Sequence, residues 1–139
     1  MRQVLFYDSV EDEALKYAVV VSRYGGKWVF CRKKGGKTYE LPGGHRKSGE
    51  NIEATARREL YEETGAARFR LTPVCVYGVR EDTGEETFGM LYFAEIQEFF
   101  ALPDFEMERI DFLDGVPGEL TYPDIEPALV RRAQESLPE

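Results

Sequence analysis

The run from Ser48 to Thr64 is rich in Ala, Glu, Arg and Leu, all strong helix formers, yet two of its acids, Glu59 and Glu63, fall beside what should be its apolar stripe. Winding from Glu59 at about 100° per residue puts Ile52 near about 20°, Glu63 near about 40°, Ala56 near about 60° and Leu60 near about 100°. A helix with a solvated acidic face would keep Glu63 opposite Ile52, Ala56 and Leu60, because taking an unpaired carboxylate out of water is costly. This helix must therefore run along the edge of a cleft. Glu59, Glu62 and Glu63 stand at i, i+3 and i+4, so they are neighbours that repel unless something neutralises them. A divalent cation is the candidate.

The rest of the chain reads mostly as strands around that helix. Lys16 to Ser22 holds the β-branched run Tyr17-Ala18-Val19-Val20-Val21 and ends near a turn at Gly25-Gly26, with Lys27 to Arg32 expected as its hairpin partner. Thr38 to Leu41 is expected as a further short strand, which Pro42-Gly43-Gly44 should stop because proline removes a ladder donor. Ser48-Gly49-Glu50 should open the helix, and Gly65 should cap its end. Phe69 to Val79 and Thr87 to Ile96 suggest a second hairpin across the turn Asp82-Thr83-Gly84. Phe105 to Leu113 adds a short strand, and Ile125 to Leu137 has a helix-compatible pattern after Tyr122-Pro123-Asp124. Strands thus flank one internal and one terminal helix, which predicts an α/β sandwich with a mixed sheet.

A chain of 139 residues fits one domain, expected to span 1–139. Eighteen Lys and Arg against twenty-six Asp and Glu give a formal charge of −8, which argues against nonspecific binding to nucleic-acid polymers. No stretch approaches the roughly 20 apolar residues that span a bilayer, and acids interrupt Met1 to Asp8 before a signal-type segment develops. Partners are therefore expected to be neither nucleic acid nor membrane, and the location is expected to be the cytoplasm. Cys31 and Cys75 form no CxxC pair and lie in apolar runs, so both read as reduced, buried thiols.

Around the acids the sequence supplies what a metal site needs. Pro42-Gly43-Gly44 brings a tight backbone next to the helix, and its carbonyl oxygens, like the carboxylates, are hard donors suited to Mg²⁺. Arg58 follows Glu50 by eight residues and can pair with it across the loop, a structural rather than catalytic contact.

The spaced set Gly44, Glu50, Arg58, Glu59, Leu60, Glu62, Glu63, Gly65 and Ala66 resembles the Nudix box of the Nudix hydrolases at every fixed position, and Glu40-Leu41-Pro42-Gly43-Gly44 is similar to the family's lead-in. The resemblance implies the Nudix α/β/α sandwich. It also implies hydrolysis of a nucleoside diphosphate linked to another moiety, foremost a nucleoside triphosphate, with an oxidised one such as 8-oxo-dGTP among the candidates. Mg²⁺ or Mn²⁺ is the implied cofactor. By the same resemblance Glu62 and Glu63 are metal ligands, the carbonyl of Gly43 is another, and Glu59 is either ligand or general base. Gly44, Glu50, Arg58 and Gly65 then shape the motif. Glu106 is expected as the acidic ligand outside the box, in competition with Glu95, Glu98 and Glu108.

Arg32 resembles the phosphate-contacting arginine of the MutT-like members, although Arg32-Lys33-Lys34 also reads as a solvated turn. Tyr122 is a candidate for stacking on a base and Asp124 for accepting from a ring donor, against helix packing and N-capping as plainer roles. The asparagine expected there in bacterial members is missing, which disfavours guanine-type recognition. His45 reads as an exposed loop residue. Phe99-Phe100-Ala101-Leu102 is expected to cover the core rather than close a dimer, with monomer and homodimer both open. The competing function is a sensor that binds a nucleotide or metabolite without cleaving it, which has no need for three mutually repelling carboxylates. Isomerase chemistry on an isoprenoid diphosphate is disfavoured because no cysteine lies in the box.

Overall fold

The structure, a computed structural model, describes residues 1–138. In chain order its elements are β1 (Gln3–Tyr7), a 3-10 turn (Asp12–Ala14), β2 (Leu15–Tyr24), β3 (Lys27–Lys33), β4 (Gly43–His45), α1 (Ile52–Thr64), β5 (Ala66–Arg80), β6 (Glu86–Phe99), β7 (Met107–Leu113) and α2 (Glu126–Glu135). The strands form one sheet in the order β1-β5-β6-β2-β3-β7, with β4 also paired to β2. The β2–β6 contact is parallel and the others are antiparallel, so the sheet is mixed.

Alternation along the central strands assigns each helix its face. Ala18 and Val20 of β2 and Tyr92, Ala94 and Ile96 of β6 pack with Ala56 and Leu60 of α1. Their neighbours Val21, Leu91 and Phe93 pack with Leu129, Val130 and Ala133 of α2. Successive side chains of a strand point to opposite faces, so a strand that is apolar at every position must be covered twice. The result is the α/β/α sandwich. Leu60 is fully buried, and burying a leucine stabilises by about 2 kcal/mol, which helps to hold the acid-bearing turn of α1 against the sheet.

Several local expectations are corrected. The β2–β3 hairpin pairs only at Arg23↔Trp28 and Tyr24↔Lys27; the strands then diverge and β3 takes β7 as its partner. Pro42-Gly43-Gly44 does not end pairing. The Pro42 carbonyl, which proline keeps, accepts the Val20 amide at 2.9 Å, and Gly43–His45 continues as β4 against β2. His45 therefore closes a strand instead of lying in a loop. Thr38 to Leu41 is no ladder strand; isolated bridges tie Glu40 to Cys31 and Tyr39 to Leu120. The helix opens later than Ser48, because Asn51 is its N-cap and accepts the Ala54 amide at 2.8 Å.

Strand β1 has no counterpart in the sequence reading; it pairs along β5 from Gln3↔Arg80 to Tyr7↔Val76. Phe99 packs against the α1-side core, but Phe100 is 61% exposed and does not cover it. Cys31 is fully buried and Cys75 only half-buried. Among the described residues no helix is long and apolar enough to cross a membrane.

Candidate active site

Strand β4 brings the glycine pair against the acidic turn of α1. The Gly43 amide donates to Glu63 Oε1 at 2.8 Å. A Cβ at Gly44 would stand 2.5 Å from Glu59 Cδ, so only glycine leaves that carboxylate its place; one at Gly43 would meet the Ala18 carbonyl oxygen at 2.5 Å. Arg58 ties the arrangement together. Its Nε and Nη2 reach Glu50 at 2.5 and 3.0 Å, its Nη1 reaches Glu59 at 2.6 Å and Glu62 at 3.4 Å, and its Nη2 also reaches the His45 carbonyl at 3.0 Å. Glu50 is further held by the Lys47 amide and the Thr55 hydroxyl, each at 2.9 Å. Bidentate charge-assisted contacts of this kind fix orientation as well as adding energy.

The electrostatics separate the acids by role. Arg58 pulls the Glu50 carboxyl down to about 2, against the opposing effect of burial. Burial pushes Glu63 up to about 8; the Gly43 amide opposes this, while Glu59, Glu40 and Glu106 reinforce it. Glu59 is raised by burial and partly restrained by Arg58. Carboxylates perturbed by burial and by one another cluster at functional sites. Glu63, 8% exposed, is where charge on this surface is most frustrated.

A cavity of about 640 Å³ opens at this point, within the usual range for small-molecule sites. It is lined by Gly43, Gly44, Glu59, Glu63 and Glu106 and also by Tyr77, Val79, Tyr122, Ile125, Glu126 and Leu129. The structure thus brings Gly43, Gly44, Glu59, Glu63, Glu106 and Tyr122 to one cavity. Glu62 lies beside it and pairs with Arg58, and Gly65 ends α1 in the left-handed conformation at φ 80°.

Arg32 and Asp124 are not among the lining residues. Arg32 lies over the Tyr39 ring, 4.8 Å from its centroid, and the cation on the cavity is its neighbour Lys33. Asp124 accepts both Nε and Nη2 of Arg2 at 3.0 Å; Ile125 holds the N-cap of α2 without any side-chain cap bond, so Asp124 does not cap the helix either. Arg2, Tyr17, Lys33, Glu40 and Glu126 line the cavity without having been expected there. For Lys33 no linear signal exists, because Arg32 and Lys33 alternate across β3 and the sequence does not say which side opens on the cavity. Glu126 follows Pro123 at a helix start, where an acid ordinarily signals only the helix dipole.

Chemically the donor set suits a hard divalent cation: carboxylates and a backbone carbonyl, partly buried and short of positive charge. The cradle that Gly44 leaves for Glu59 and the raised Glu63 agree with that fit. Among the described residues no three His, Cys, Asp or Glu side chains already stand at ligand spacing, so coordination requires the glutamates to turn toward a common point.

Comparison with known proteins agrees with the geometry. A Bacillus subtilis (strain 168) protein with the provisional name 8-oxo-dGTP diphosphatase YtkD is 32% identical over 105 residues, covering 74% of this chain; the chain spans 64% of that relative's length. A mutant of the Bacillus subtilis pyrophosphohydrolase BsRppH superposes with a TM-score of 0.79 at 26% identity, over 97% of this chain and 90% of the other. A MutT NUDIX hydrolase from Burkholderia pseudomallei, 22% identical, shares the fold with a TM-score of 0.63 over 87% of this chain and 96% of its own. The NUDIX domain matches residues 10–114, and the chain accordingly belongs to the Nudix family, with relatives named as a diphosphatase and a pyrophosphohydrolase.

Proposed function

We propose that residues 1–139 act as one Nudix hydrolase domain that, with Mg²⁺ or Mn²⁺, cleaves a nucleoside diphosphate-containing substrate, foremost a nucleoside triphosphate, to monophosphate and pyrophosphate. The observation that carries this reading is one cavity lined both by Gly43, Gly44, Glu59 and Glu63 and by Tyr77, Val79, Tyr122 and Leu129. The glycines and acids suit a cation-bound diphosphate, and the aromatic and apolar residues suit a base. The name of the Bacillus relative makes 8-oxo-dGTP the first oxidised nucleotide to test.

In this reading Glu59, Glu62, Glu63 and Glu106, with the Gly43 carbonyl, hold the cation, which when bound supplies neutralisation of phosphoryl charge and acidification of water. Glu59 or a neighbouring carboxylate takes the proton from the attacking water. The new P–O bond forms as the anhydride P–O bond breaks, and the pyrophosphate leaves as the anion. Arg58 keeps Glu59 oriented while Glu50 fixes Arg58. Lys33, paired with Glu40 at 3.8 Å, sits where it can meet a phosphate oxygen, the role expected of Arg32. Tyr122 offers its ring to the base.

A panel of normal and oxidised nucleoside triphosphates, sugar nucleotides, ADP-ribose and dinucleoside polyphosphates, assayed for phosphate and pyrophosphate release, tests this. Pyrophosphate should appear from at least one triphosphate with Mg²⁺ and vanish with chelator. Calorimetric binding with no product from any compound would identify a sensor instead.

A further inference from the structure

Strand β7 ends the sheet, and among the described strands its outer edge has no partner. Which of its residues face that edge follows from β3. Cys31 uses both of its main-chain groups on Glu40, the amide at 2.9 Å and the carbonyl at 2.8 Å, so neither is left for Ile110, which lies opposite it on β7. In an antiparallel pair, residues that do not bond each other turn their N–H and C=O outward. Ile110 therefore presents both groups to the open edge, and the two-residue period gives Phe112 the same orientation. Among the described residues, no backbone hydrogen bond outside the sheet ladders involves Arg109 to Leu113.

An open edge of this kind is a template for another strand unless something blunts it. Met107 to Leu113 holds neither proline nor lysine, and its charges are of both signs. Arg109 and Asp111 stand two residues apart on one face and bond each other at 2.9 Å. On the other face Ile110 packs on the α1-side core, and Phe112, 41% exposed, joins an aromatic group with Tyr24 at 5.4 Å and Phe99 at 5.7 Å.

We propose that the open edge of β7 pairs with the same edge of a second copy of this chain, antiparallel about a two-fold axis at Ile110. Ile110 then donates to and accepts from its counterpart across the axis. That register sets Arg109 opposite the partner's Asp111 and, by symmetry, Asp111 opposite the partner's Arg109. An axis at Arg109 or at Asp111 would instead set two arginines or two aspartates face to face, and like charges directly opposite are destabilising. Charge therefore selects one register and matches the edge to itself. On the other face the two Ile110 side chains meet at the axis, and the pairing covers part of the exposed Phe112 ring.

Sedimentation velocity of the intact protein over about 1 to 100 μM tests this, since the population of a homodimer follows protomer concentration. Wild type should reach twice the protomer mass. Arg109→Asp and Asp111→Arg each turn two attractive cross-strand pairs into two repulsive ones and should weaken dimerisation at least about 10-fold. The first makes the chain more negative and the second less, so a general effect of net charge would move them in opposite directions. Both substitutions together exchange the two charges and should restore the dimer at unchanged net charge. As a second readout, the Ile110 amide should exchange with solvent more slowly as wild-type concentration rises, and should show no such slowing in either single variant. Wild type that stays monomeric, a dimer that neither single variant weakens, or one whose Ile110 amide exchanges as in the monomer overturns the proposal. So does a folded double variant that remains monomeric.

Discussion

At the scale of single residues, the site is organised by how each carboxylate is compensated. Glu50 has Arg58, the Lys47 amide and the Thr55 hydroxyl; Glu63 has one amide and three acidic neighbours. The position of Glu63 beside the apolar stripe was legible from the helical phase alone, and so was the Glu50–Arg58 pair from its spacing. The placement of Arg32 was not, because Arg32 and Lys33 point to opposite faces of β3 and the linear sequence does not say which face meets the cavity. A pH prediction follows for Glu50, whose carboxyl lies at about 2 in the fold against 4.5 ordinarily. A depressed carboxyl contributes stability that is fully present above 4.5 and is lost as pH falls through about 2. Glu50→Gln should therefore destabilise the protein at neutral pH, with the difference from wild type shrinking between pH 4.5 and 2 in denaturant titrations. A difference that does not change with pH would contradict this account.

At the scale of elements, strand and helix types were readable from pattern, whereas their partners depended on single backbone features. In β5, Phe69 and Leu71 face α1 while Tyr77 and Val79 face α2. The register skips a residue between Pro73 and Cys75, and such a bulge reverses which side the following residues face. Periodicity over Phe69 to Val79 showed a strand and could not show the reversal. Nor does an apolar run name its neighbour, which is why β2 and β3 read as a full hairpin and pair at only two positions. Gly65 is the element boundary with the firmest local cause. Its φ is 80° and a Cβ there would stand 2.7 Å from the Phe100 carbonyl oxygen, part of a segment whose amide bonds back to Gly65. Gly65→Ala should cost about 1–3 kcal/mol in chemical denaturation, because both the left-handed backbone and the close approach resist the added methyl. A variant as stable as wild type would show that α1 ends by other means.

At the scale of the whole molecule, the sheet sets two helices on opposite faces, and the cavity draws on both: Glu59 and Glu63 come from α1, Glu126 and Leu129 from α2, with β4 between sheet and acids. That Gly43, Gly44, Glu59 and Glu63 would meet was legible in sequence because they are close along the chain. The presence of Arg2, Tyr17, Tyr77 and Glu126 in the same cavity was not, since they meet only once the sheet has formed. In a molecule with a formal charge of −8 the cavity is itself acidic, so the cation is the central requirement of the proposed reaction on a phosphate anhydride.

The most direct measurement compares wild type with Glu63→Gln in Mg²⁺-dependent turnover and in metal-free thermal unfolding near pH 8. A carboxyl raised to about 8 in the fold lowers stability as pH climbs from 4.5 through that value, so the substitution should leave metal-free stability equal or higher. Turnover should fall by roughly 100-fold or more, the scale of losing a group that acts on the reacting atoms. Undiminished Mg²⁺-dependent turnover in a folded Glu63→Gln protein would contradict the account.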